Sequence, residues 1–143
     1  MNTSTRFAVA VHILAALDFH DGTPVNSSDL ATSVNTSAAV IRQLLMRLKD
    51  AGLVKSQMGP GGGTLLAKKP SGITLRDIWQ ATEDETIVCM HRNKPGNHCA
   101  VGRQILGVLE DVTSQAQQAM FEVLEQTTLE DVSEDIRARD VST

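Results

Sequence analysis

A mainly α-helical fold with one small β-hairpin is what this sequence predicts, on three observations. Apolar residues recur at helical spacing through most of the chain. Two short strand-like runs, "LVKSQM" and "TLLAKK", flank the cluster Gly59-Pro60-Gly61-Gly62-Gly63. With three Phe, one Trp and no Tyr, the core must be aliphatic, and so helical rather than sheet-like.

The bulk properties narrow the class. A length of 143 residues suits one domain plus an accessory element. Hydrophobic content of 41% and charged content of 21% are ordinary for a soluble globular protein. The early apolar run is too short for a membrane span. No basic region precedes it and no export cleavage site follows, so no membrane partner is expected. Two cysteines are too few for a disulfide scaffold, which makes a reducing cytoplasm the expected location. The net charge of −4 hides an asymmetry: residues 1–70 carry seven Lys/Arg and four Asp/Glu, whereas residues 71–143 carry six and thirteen. An anionic partner would dock on the basic half.

The elements follow in order. Ser4 or Thr5 is placed to cap a helix beginning near Phe7, because a side-chain oxygen there accepts an orphaned backbone N–H. From Phe7 to Leu17 that helix is apolar almost all round, so it needs cover on more than one side, including that of a second subunit. Ser27 or Ser28 then caps a short helix through "DLATSV". In the longer helix after "NTS", Leu44, Leu45 and Leu48 fall within about 60° of Ile41 on a helical wheel. Ala39, Arg42, Gln43 and Met46 point largely the other way, and Gly52 stops the helix. Two short helices around a tight turn are a helix-turn-helix candidate.

The glycine cluster is not a phosphate cradle. A P-loop needs Lys-Ser/Thr after its last glycine and a helix beyond, and the dinucleotide fingerprint also runs directly into a helix. Here Gly63 leads into Thr64-Leu65-Leu66. A hairpin with a permissive tip fits instead, either as a plain structural hairpin or as a wing beside the helix-turn-helix.

Thr74 and Asp77 have the spacing of a capping box, with Ile73 placed to staple onto Ile78 and Trp79 expected in core or interface. A polar loop over 83–98 is long enough to suggest a function. A long helix is expected over 99–130, with Val101, Ile105, Val108, Val112, Ala116, Ala119 and Val123 forming a near-heptad seam. Such a stripe outruns what so small a domain can cover, so it predicts homodimerisation. Residues 131–143 read as a polar, frayed tail.

"STRFAVAVHIL", "QLLMRLKDAGLVKSQMGPGGGTLLAKKPSGITLRDI" and "HCAVG" stand in this order, and together they resemble the IscR-like, Rrf-type winged-helix repressors of bacteria over residues 3 to 130. The resemblance implies a winged helix-turn-helix DNA-binding domain over 1–82, a sensor-type loop, and a homodimer held by long C-terminal helices on a roughly palindromic double-stranded DNA operator. By matching positions, Ala39, Arg42 and Gln43 face the bases. Arginine can bond guanine O6 and N7, and glutamine adenine N6 and N7. Ser4, Arg6, Ser28 and Ser37 fall at backbone-contacting positions, as does the wing through Lys55, Gln57, Gly59, Pro60, Gly61 and Gly62. Many members carry Arg just before the glycine run; Met58 here leaves Lys55 and Gln57 as weaker substitutes.

Cluster-binding members place three cysteines in the loop, whereas this chain has Cys89 and Cys99, with His91 and His98 between them. That set is unusual for an iron–sulfur cluster and matches no common zinc spacing, so no cofactor is expected. Thiol redox sensing by Cys89 and Cys99 is the sharper expectation, since thiolates are favoured at a helix start such as Cys99. Two ordinary buried thiols, or a non-covalent small-molecule effector, stay open. So does a dimeric interaction module without specific DNA binding. No nucleophile, base and orienter form an enzymatic set.

Overall fold

A computed structural model describes residues 4–142. Along them run α1 (Arg6–Phe19), α2 (Ser27–Val34), α3 (Ala38–Asp50), β1 (Val54–Gln57), β2 (Gly63–Leu66), a short 3-10 turn (Pro70–Gly72), α4 (Leu75–Thr82), α5 (Ala100–Gln126) and α6 (Leu129–Val141). They form two compact units. One holds the chain up to Glu83 together with Leu124 onward, and the other is Asp84–Val123.

In the first unit α1 is central. It buries Ala10, Ile13, Leu14, Ala15 and Leu17, and α2, α3, α4, α6 and β2 all pack on it. That is the cover its nearly all-apolar sequence demands. His12 Nε2 lies 2.9 Å from Ser33 Oγ, which ties α1 to α2. At the far end the Arg137 guanidinium of α6 sits 4.4 Å from the centre of the Phe19 ring, a cation–π distance.

Of the two residues expected to cap α1, Ser4 accepts the Arg6 N–H on its Oγ at 3.2 Å, while Thr5, at the N-cap position, makes no side-chain bond. The cap of α2 is Asn26, not Ser27 or Ser28: its Oδ1 accepts the Asp29 N–H at 2.8 Å. Ser27 is already helical. Asn and Ser are comparable caps, so the extended backbone of Asn26 decides between them.

Ile41, Leu44 and Leu48 form the buried face of α3. Its end is a Schellman turn: the Leu53 N–H reaches Leu48 O at 2.9 Å and the Gly52 N–H reaches Lys49 O at 2.9 Å. Gly52 has φ +75°, which a side chain would resist. That turn feeds β1, which pairs antiparallel with β2 from Val54↔Leu66 to Gln57↔Gly63. On the other edge of β2, Thr64 exchanges both backbone hydrogen bonds with Val25. A Cβ on Gly63 would stand 2.6 Å from the Val25 carbonyl oxygen, so this close approach requires glycine.

The capping box of α4 forms as expected, with Thr74 and Asp77 bonding each other's backbone N–H at 3.0 Å. Ile73 and Ile78 are both fully buried. The long helix is shorter than expected and ends at Gln126. The expected frayed tail is a correction: residues 129–141 form α6, which packs on α1. Thr128 and Asp131 make a second capping box. The two boxes pair, since the Leu75 N–H bonds Thr127 O at 2.9 Å and the Leu129 N–H bonds Ile73 O at 2.8 Å. Leu129 is 0% exposed, so Leu129→Ala should cost about 2–5 kcal/mol of stability, read as a lower urea midpoint. A loss under about 0.5 kcal/mol, ordinary for surface positions, would contradict an integrated α6.

Candidate nucleic-acid interface

α2, the turn at Asn35–Ser37 and α3 form the helix-turn-helix. Asn35 closes α2 in the left-handed conformation at φ 64°, which Asn tolerates better than most residues. Ser37 then starts α3, its Oγ accepting the Val40 N–H at 3.3 Å. That cap uses the oxygen as acceptor and leaves the hydroxyl proton to donate to a phosphate. Ser28 is exposed in the first turn of α2.

The side chains of α3 sort by face. Ile41, Leu44 and Leu48 lock the helix to the core, while Ala39, Arg42 and Gln43 are exposed on it. Val40 and Met46 are exposed as well, at 40% and 67%. Neither was assigned a contact from sequence, and an apolar side chain there suits a thymine methyl. The hidden signal at Val40 was its place directly after the cap and Ala38-Ala39, in the exposed first turn of α3.

Lys55 and Gln57 are exposed on β1 and, two residues apart, share one face of the strand. Gly59, Pro60 and Gly61 are exposed at the tip beside Met58, which is 88% exposed. Gly62 is partly covered, and a Cβ on it would collide with the Gln57 carbonyl oxygen. The tip glycines thus close the hairpin as well as exposing its backbone. Lys68 and Lys69, unassigned from sequence, join Lys55 around a depression of about 410 Å³ with Asp18 and Asp21.

At the start of α1 the picture differs from expectation. Ser4 gives its hydroxyl proton to Glu83 Oε1 at 2.7 Å, so that proton is not free for a phosphate. Arg6 Nη2 lies 3.5 Å from Glu83 Oε2, with 43% of the Arg6 side chain exposed. Sequence gave no signal for Glu83 beyond its place just after α4.

In the second unit Cys89 and Cys99 are free and exposed, not buried. Cys99 immediately precedes α5, and its Sγ accepts the Gly102 N–H at 3.3 Å. Arg103, one turn further on, donates to Asn97 O at 3.0 Å. The Ile87 N–H reaches Gln117 Oε1 at 3.4 Å, securing the loop to α5. Along α5, Val101, Val108, Val112, Ala116, Ala119 and Val123 are exposed and Ile105 is half-buried.

A family model, Rrf2, described as an iron-dependent transcriptional regulator, matches residues 3–135. YwnA of Bacillus subtilis, named as an HTH-type transcriptional regulator, is 34% identical over 130 residues, 90% of this chain and 95% of that one. The HTH-type transcriptional regulator IscR of Yersinia pestis is 33% identical over 106 residues, 74% of this chain but only 63% of the relative. Among solved structures, IscR of T. potens superposes with a TM-score of 0.73 at 28% identity, covering 95% of this chain and 88% of that one. CymR of B. subtilis, described as a global cysteine regulator, gives 0.70 at 29% identity over 94% and 97%. These relatives are transcriptional regulators, not enzymes. Among the described residues, no helix is long and apolar enough to cross a membrane.

The iron in the family's description meets a poor donor set here. No three His, Cys, Asp or Glu side chains converge among the described residues. The Cys99 sulfur is engaged as a helix cap, and the His98 ring lies against Gly96. Cys89, His91, His98 and Cys99 do not fit an iron or iron–sulfur site as they stand.

Proposed function

This chain belongs to the Rrf2 family of DNA-binding transcriptional regulators, and from that premise we propose that it acts as a homodimeric repressor of a roughly palindromic operator. The observation that carries this is the partition of α3: a buried Ile41/Leu44/Leu48 face fixes the helix, and Ala39, Arg42 and Gln43 are left at the surface. Arg42 and Gln43 read base edges in the major groove, and Ala39 allows close approach. Ser28, Ser37, Arg6 and the wing through Lys55, Gln57 and its glycines grip phosphates and fix the register.

Pairing of two copies is supported by the seam on α5. Val101, Val108, Val112 and Val123 are 56–69% exposed, and a stripe of that length in water marks an interface. In vitro transcription from the DNA upstream of its own gene, with the protein titrated in, tests the whole reading. Transcript should fall with increasing protein, and the same DNA should bind at least ~10³-fold tighter than a random duplex. Equal affinity for both duplexes contradicts it.

The loop is read as a thiol sensor because both sulfurs are accessible. Peroxide would take two electrons and two protons from Cys89 and Cys99, leaving a disulfide and water. Intact mass after mild peroxide should then show loss of two hydrogens per bridge, absent in Cys99→Ser. An unchanged mass with the cysteines still alkylatable rules the sensor out.

A further inference from the structure

At the start of α1, Ser4 Oγ accepts the Arg6 N–H at 3.2 Å, and the next N–H, that of Phe7, is held by a distant carboxylate. Glu83 Oε1 accepts the Phe7 backbone N–H at 3.1 Å and the Ser4 hydroxyl proton at 2.7 Å. Its other oxygen, Oε2, faces Arg6 Nη2 at 3.5 Å. Thr5 supplies no side-chain cap. Glu83 therefore does from 76 residues away what an N-cap side chain does locally. A negative charge is also the favoured one at that helix end. Only 10% of the Glu83 side chain is exposed, and a carboxylate so covered depends on its partners.

The long approach to Oε2 leaves most of the five guanidinium donors of Arg6 unused. Arg6 Nε is buried without a partner, so this side chain is not at its best-satisfied arrangement in the free protein. Glu83 also stands at a junction: its N–H closes α4 on Trp79 O at 2.8 Å, and Asp84, the next residue, begins the unit that carries both cysteines.

We propose that Glu83 is a positioning residue for DNA binding: through Ser4, Phe7 and Arg6 it sets the start of α1 against the phosphate backbone. Given the reading of Arg6 as a phosphate contact, on which this rests, the grip at α1 depends on the residue from which the cysteine-bearing segment departs. Displacing Glu83 frees the Phe7 N–H, loosens the first turn of α1 and lets Arg6 wander.

Two measurements test this on the full chain: hydrogen exchange at the α1 amides without DNA, and DNA affinity across a salt series. In Glu83→Ala the Phe7 amide should lose protection. Affinity for operator and random duplex should fall alike, and the slope of log K against log salt should shrink by about one per half-site. Glu83→Gln keeps an acceptor oxygen for Phe7 and Ser4 and should restore Phe7 protection, while its neutral amide no longer holds Arg6, so affinity and salt slope should stay lowered. If Glu83→Ala does not fold, Glu83→Asp, which keeps the charge but falls short in reach, should show the same losses. Unchanged Phe7 protection overturns the capping role. Lost protection with unchanged affinity and slope overturns the DNA role, and tighter binding overturns it in favour of a competing latch. Wild-type protein that ignores duplex DNA defeats the underlying reading, while the exchange result still judges the cap.

Discussion

Glutamate in place of both Val108 and Val112 is expected to turn the protein into a folded monomer that binds operator DNA at least ~10²-fold more weakly. Both valines are more than half exposed on α5, so the change adds charge without opening a cavity in the chain itself. In a paired seam the same carboxylates would be buried against apolar neighbours, where an unpaired charge cannot be accommodated. The acidic residues already flanking the stripe, Glu110, Asp111 and Glu122, add like-charge repulsion. Operator affinity falls because each half-site is then bound singly, and the effective-concentration gain of linked sites, ~10²–10⁴, is lost. Sedimentation velocity gives the mass and anisotropy the affinity. A dimer that survives the double change moves the interface off α5.

Arg42→Ala is expected to erase preference at one base pair in each half-site, worth about 1–3 kcal/mol of discrimination. Arg42 neighbours buried Ile41 in sequence but is itself exposed, so the helix should keep its position. The salt slope should hardly move, because a base contact releases few counterions. Lys55→Ala, by contrast, should weaken all duplexes alike. Competition with operators altered one base pair at a time separates the two. If Arg42→Ala lowers affinity for operator and random DNA equally, Arg42 touches phosphate and not bases.

Both predictions draw on features that were legible in the chain, because each has a local cause. The wheel around Ile41 orders α3, Gly52 supplies the left-handed backbone that its Schellman turn needs, and Thr74 with Asp77 announces α4. The helix hidden in the expected tail, residues 131–143, has an outer face so polar that the buried Leu129 and Ser133 leave little periodicity. Yet "TTLEDV" repeats the pattern of "ITLRDI". The same capping spacing found α4, and applied twice it would have found α6. Two features had no local trace. The Val25 bridge to β2 and the Glu83 cap on α1 join segments some forty and seventy-six residues apart. Cys89 and Cys99 were found by type, but their exposure depends on the fold.

The central claim is that α3 and the wing meet duplex DNA twice, through a pair of identical chains. Hydroxyl-radical footprinting on DNA that the protein selects from a random pool tests it most directly. The account predicts two protected patches related by a two-fold axis, with centres about one helical turn or a multiple apart. A single unsymmetric patch, or uniform protection without sequence selection, would contradict it.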